Sequence, residues 1–168
     1  MALDPWSYAE KTRNEYAEQA ALFMWANMAA NFGLLQANDR ESYILPGYAR
    51  RCYMERGGPL LPELRWLFAI KNAGHGDAIR GAMSKAEGVK AGVPDVMLPV
   101  PARISVYNAY YHGLYIELKR LKSTRGAAGK TSPVQDDWSD YLKSAGYAVE
   151  VCHGWEAARN AILHYLGK

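Results

Sequence analysis

The sequence predicts an α/β domain built on a central mixed β-sheet flanked by helices. Residues 8–31 contain no Gly or Pro, and Leu22, Trp25, Ala26 and Ala29 recur at helical spacing. Short apolar runs at 64–70, 96–100, 103–107, 113–119 and 147–152 are bounded by Gly, Pro and Asn, as strands are. Helical stretches at 77–87, 133–145 and 155–166 fall between and after them. The resulting order, α, β, α, β, β, β, α, β, α, closes helices over the faces of one sheet.

Taken in order, Asp4-Pro5 or Ser7 suits the start of the first helix, because Asp and Ser accept orphan amide hydrogens and Pro fits the first turn. Its apolar stripe, continued backward, passes through Gln19, Glu18 and Glu15, and Gly33 ends it. Residues 34–63 are broken by Pro46-Gly47, Gly57-Gly58-Pro59 and Pro62. They are rich in Tyr and carry Arg50-Arg51, so a lid or an ordered surface insertion is expected there. Residues 64–70 read as a buried strand, 71–76 as a tight loop, and Asp77 as the cap of a short helix closed by Gly88. Pro94 and Asp95 belong at the mouth of the 96–100 strand, since Pro brings no amide hydrogen to a ladder. Strands 103–107 and 113–119 turn around Asn108. Residues 122–132 form a basic loop rich in Gly, Ser and Thr. The last helix keeps Ala158, Ile162 and Leu166 on one face.

The 168 residues suffice for one domain with a substantial core. The 20 basic and 17 acidic residues leave a net charge of +3, too mild to imply nucleic acid except through its distribution. No apolar stretch approaches the ~18 residues of a membrane span, and no secretory leader is visible. Cys52 and Cys152 do not make a disulfide framework, so both thiols are expected free in a reducing, cytoplasmic setting.

Asp95, Glu117 and Lys119 stand out. In a strand over 113–119, Leu114, Ile116 and Leu118 face the core, while Tyr115, Glu117 and Lys119 share the other face. Asp95, at the mouth of a neighbouring strand, can approach Glu117. Two close carboxylates repel unless a proton or a cation lies between them, and an all-oxygen site suits Mg²⁺ or Mn²⁺. A plainer alternative is a surface Glu–Lys pair with Asp95 as a turn residue.

The surrounding text narrows the choice. Pro94-Asp95…Glu117-Leu118-Lys119 matches the PD-(D/E)xK nuclease signature. Together with Lys71-Asn72-Ala73-Gly74, the run 86–95, the run 111–119 and Ser132-Pro133-Val134-Gln135, it resembles the VRR-NUC family of virus-type replication-repair nucleases. The resemblance covers residues 15–166, with 34–63 the least matched. It implies a restriction-endonuclease-like fold and metal-dependent phosphodiester hydrolysis, often on branched DNA such as Holliday junctions or flaps. It also implies a homodimer, and a phage origin with a role in repair or recombination. By the same resemblance Asp95, Glu117, Lys119 and Gln135 are catalytic. Asp95 and Glu117 hold the metal with the backbone carbonyl of Leu118 and an acid from the first helix. Glu15 is favoured for that acid, with Glu18 one turn away still open. DNA contacts fall on Lys71, Asn72, Arg120, Lys122, Arg125 and Lys130. One departure is the loop Ala73-Gly74-His75-Gly76, where many relatives carry a Gly-Gly pair and a nearby Arg.

Other signals are discounted. Gly129-Lys130-Thr131 lacks the Gly that a phosphate-binding loop needs at position 124, and Pro133 follows at once. Cys152-His153 has no partner pair for a metal. His75 and His112 are read as turn residues, and Trp66, Phe68, Trp138 and Trp155 as core or dimer interface. Two rivals remain. One is a DNA-binding factor that keeps the fold without cutting. The other is a sequence-specific restriction-type nuclease, for which only 34–63 could read base edges.

Overall fold

In the computed structural model, residues 4–12, 14–44, 58–71, 78–104, 109–122 and 128–168 are described. Asp4 caps helix α1 (Pro5–Thr12), accepting the Ser7 amide at 2.8 Å and the Ser7 hydroxyl at 2.7 Å. The single helix expected over 8–31 is in fact two. Asn14 caps a new helix, α2 (Glu15–Phe32), its side-chain oxygen accepting the Ala17 amide at 2.8 Å. Asn competes with the backbone for hydrogen bonds and so can restart a helix without any Gly or Pro. Gly33, with φ 100°, ends α2 as expected. Leu22, Trp25, Ala26 and Ala29 are buried, and the alanines along that face let α2 lie close to the sheet.

The flanks of the 34–63 segment join the core. Helix α3 (Leu34–Ala37) and a 3₁₀ turn at Arg40–Tyr43 bury Ala37 and Tyr43, whose hydroxyl donates to the Ala37 carbonyl at 2.8 Å. Residues 45–57 lie outside the described residues. The buried strand expected at 64–70 is mostly another 3₁₀ turn, Pro62–Trp66, followed by a two-residue strand, β1 (Phe68–Ala69). Pro62 pre-sets the turn. Leu64 and Leu67 are buried three residues apart, as a helical turn requires, while Trp66 and Phe68 are 67% and 45% exposed.

Helix α4 (Ala78–Ala86) follows, then β2 (Val96–Leu98), β3 (Ala102–Ile104), β4 (Ala109–Tyr111) and β5 (Leu114–Lys119). The hairpin differs from expectation. Its returning arm is β4, paired with β3 as a separate two-stranded sheet, and the chain turns again at His112-Gly113 before entering β5. The turn expected at Asn108 falls outside the described residues. Helix α5 (Pro133–Ser144), β6 (Ala148–His153) and α6 (Trp155–Tyr165) complete the chain.

The main sheet runs β1-β2-β5-β6. β1 and β2 pair antiparallel, as do β2 and β5, whereas β5 and β6 are parallel with α5 as their crossover. It is the mixed sheet the sequence predicts. Leu114, Ile116 and Leu118 point into the core shared with α2 and α6, where Ala158 and Ile162 are fully buried. Their neighbours Glu117 and Lys119 face α5 instead, and that face is covered too. No helix among the described residues is long and apolar enough to cross a membrane.

Candidate active site

The register that sets Val96 opposite Ile116 and Met97 opposite Tyr115 brings Asp95 opposite Glu117 one step further on. Cross-strand partners share a face, so the two carboxylates lie side by side at the end of β2. One oxygen of Asp95, Oδ2, accepts the Leu118 amide at 2.8 Å. A residue in a strand points its N–H and C=O to the same edge, so the Leu118 carbonyl also opens toward Asp95.

Glu117 and Lys119 are only 4% and 5% exposed. Lys119 Nζ donates to Glu117 Oε1 at 2.6 Å and to Gln135 Oε1 at 3.1 Å. Gln135 Nε2 donates back to Glu117 Oε1, closing a three-membered ring of polar side chains. Glu117 Oε2 is buried and has no hydrogen-bond partner among the described residues. Burial pushes the Glu117 carboxyl up to about 7, against the hydrogen bond and charge of Lys119, with Asp95 and Glu15 raising it further.

Local sequence explains why Gln135 is so placed. Ser132 and Gln135 form a capping box at the start of α5, with the Ser132 amide donating to Gln135 Oε1 at 2.9 Å. The S-x-x-Q spacing of Ser132 and Gln135 is a helix-start signal legible in the sequence itself. A second link runs through Gly92. Its φ is 82°, and a Cβ there would meet the Val134 backbone at 2.9 Å. The turn before Pro94-Asp95 therefore rests directly on the residue preceding Gln135. Trp138, half-buried, adds a bond from its indole nitrogen to the Ala91 carbonyl at 3.0 Å.

The two candidate acids of α2 separate. Glu18 is buried, and its Oε2 accepts the Trp155 amide at 2.9 Å, so it caps α6; burial raises its pKa. Glu15 is exposed at the start of α2, near enough for its charge to raise the Glu117 carboxyl. A Cβ on Gly129 would sit 3.2 Å from Glu15 Oε1 and equally close to Lys119 Cβ. Of the expected DNA contacts, Lys122 and Lys130 are exposed and Arg120 is half-buried beside the site. Lys71, also exposed, pairs with Glu87 at 3.1 Å. Asn72 and Arg125 lie outside the described residues, as do His75, Asp77 and Cys52. Cys152 is a free thiol, buried, and pushed up to about 12 by that burial. His153 Nε2 lies 2.9 Å from the Gly129 carbonyl, and the His112 ring packs on Gly146. Trp155 is in the core.

The donor set suits a hard divalent cation. It is all oxygen, and it includes a buried carboxylate oxygen with no partner beside a second carboxylate. Among the described residues no three Asp, Glu, His or Cys side chains cluster tightly enough to enclose an ion alone. An ion here would keep several waters, as Mg²⁺ does.

A mixed sheet that sets two acids and a lysine at the ends of adjoining strands is the arrangement of the PD-(D/E)xK nucleases. Residues 36–156 match the model of the VRR-NUC domain, and the chain belongs to that family of nuclease domains. The match takes in Asp95, Glu117, Lys119 and Gln135, while Glu15 and Glu18 lie before it. A solved structure described as a VRR_NUC domain protein is 22% identical to the chain, over 92% of this chain and 88% of that one, with a TM-score of 0.54. At that identity the likeness is one of fold. No curated protein matches the chain.

Proposed function

We propose that the chain is a Mg²⁺- or Mn²⁺-dependent DNA endonuclease, structure-selective for branched substrates such as junctions or flaps, acting as a single domain within a homodimer. The observation that carries this is Glu117. Its buried Oε2 lacks a partner, Asp95 stands opposite, and Oε1 is fixed by Lys119 and Gln135.

Asp95, Glu117 and the Leu118 carbonyl would hold the cation, with Glu15 favoured over Glu18 as the acid that α2 contributes. When bound, such an ion makes water a better nucleophile and offsets charge on the phosphate. Hydrolysis forms one P–O bond from water and breaks another to a sugar oxygen. Lys119 presents its ammonium where negative charge grows in that step. Glu117 and Gln135 keep the ammonium in place, which spares reorganisation during the reaction. Arg120, Lys122 and Lys130 offer positive charge along the approach, suited to positioning a backbone without reading sequence. Repair or recombination, in a bacterial or phage-infected cytoplasm, is the setting that such a substrate suits.

The test is cleavage of a four-way junction, a flap and a matched linear duplex, each with Mg²⁺ or Mn²⁺ and with EDTA. Metal-dependent cutting of the branched forms, at least tenfold above the duplex, is expected. Cutting of the duplex at a fixed site would favour a restriction-type enzyme. Binding without cleavage in any metal would favour the non-cutting factor. Junction cleavage also needs two sites about a two-fold axis, so light scattering should report a dimer.

A further inference from the structure

A cleft of about 560 Å³ opens beside the site and is not used by the chemistry above. Trp6, Leu121 and Trp155 stand among its apolar walls, and its polar residues are the carboxylates Glu10, Glu18 and Glu156 with Lys122 and His153. It shares structure with the active site. The Gly154 amide donates to the Lys119 carbonyl at 2.9 Å, and Gly129 lies between Lys119 and His153. One turn of α2 separates Glu15, whose charge reaches Glu117, from Glu18, lining the cleft.

We propose that this cleft receives one unpaired base of the DNA strand, next to the phosphate held at Lys119. The proposal rests on the nuclease reading and names the feature of the substrate that the site selects. The volume suits a single nucleotide and excludes a base still paired in a duplex, which must leave the stack to enter. The walls suit a base rather than a phosphate. Trp6 is fixed by near-perpendicular ring contacts, 5.1 Å from Trp155 and 6.1 Å from Tyr43, and by its indole nitrogen donating to Glu156 at 3.2 Å. A ring so fixed offers a stacking face with little left to order. The buried carboxylate of Glu18 repels a phosphate and accepts amino hydrogens from a base edge. Lys122 and His153 stand among the carboxylates of Glu10 and Glu156 and give the backbone its one ammonium and one imidazole contact there.

Two measurements on the full-length protein test this. In the first, 2-aminopurine replaces the first unpaired base of a flapped oligonucleotide, and its fluorescence is read in EDTA at saturating protein. The parent should quench it severalfold, and Trp6→Ala should abolish the quenching at equal DNA occupancy by anisotropy. In the second, the parent cuts the same flap in Mg²⁺ or Mn²⁺ with a base or an abasic residue at that position. The abasic substrate should be cut about tenfold more slowly, in keeping with one lost base–aromatic stack. Equal cleavage of the two, or quenching that survives Trp6→Ala, overturns the cleft as a base site and leaves the nuclease reading standing. Trp6-dependent quenching without cleavage in any metal overturns the nuclease reading and leaves the cleft. The abasic comparison uses the parent chain, so it decides even if Trp6→Ala does not fold.

Discussion

Glu117 carries two opposed demands. It lies in the interior, where a carboxylate is costly, and in the proposed function it must be ionised to hold a cation. Its pKa of about 7 lies above the unfolded value of 4.5. The contribution to stability is therefore complete below pH 4.5 and is lost as pH rises through 7. A shift of that size corresponds to about 3 kcal/mol. In EDTA, the unfolding free energy of the parent minus that of Glu117→Gln should fall by up to that amount between pH 4 and pH 8. A flat difference would show that Glu117 ionises freely in the fold. Gln135 acts through its neighbours. Gln135→Ala should lower cleavage by about 10- to 100-fold, as removing a group that orients a metal site does, while substrate binding measured in EDTA stays within about twofold. Loss of binding in equal measure would place Gln135 on the DNA instead.

At the scale of elements, the capping box and the Gly92 turn fix where the polar ring stands. Gly92→Ala meets both the positive φ and the Val134 backbone. It should cost about 1–3 kcal/mol in denaturant unfolding and reduce cleavage through displacement of Gln135. Glu18→Ala leaves the Trp155 amide without its acceptor. It should destabilise by about 1–3 kcal/mol, whereas a metal ligand at that position would instead lose ion affinity.

These elements show what the sequence makes legible. Alternation along 113–119 placed Glu117 and Lys119 on one face, because strand geometry leaves no other choice. The apolar stripe of α2, continued backward, points to both Glu15 and Glu18, but only Glu18 is buried on it. Assigning the two needs the Glu18–Trp155 contact, which joins residues 137 apart. The break at Asn14 leaves no Gly or Pro to mark it, because Asn interrupts a helix by its side chain, not by its backbone. The 3₁₀ turn at Pro62–Trp66 resembles a strand in sequence because an apolar, aromatic run looks alike in both states until burial separates Leu64 and Leu67 from Trp66 and Phe68.

For the whole molecule, the parallel β5–β6 pair and the antiparallel β2 bring distant segments to one end of the sheet. Residues from β5, the β2 mouth, α5 and α2 meet there, and the exposed lysines 122 and 130 flank the opening. The family match covers Asp95, Glu117, Lys119 and Gln135, and α2 brings Glu15 near Glu117 from outside the matched residues. The central claim is that Asp95 and Glu117 hold the ion while Lys119 serves the reaction. Parallel Mn²⁺ titration and flap cleavage, on the parent, Asp95→Ala and Lys119→Ala, separate these roles. Asp95→Ala should lose both ion binding and cleavage, the latter by several orders of magnitude. Lys119→Ala should still bind Mn²⁺ yet cut about 100- to 1,000-fold more slowly. Flap cleavage by Lys119→Ala or Asp95→Ala at the parent's rate would contradict it.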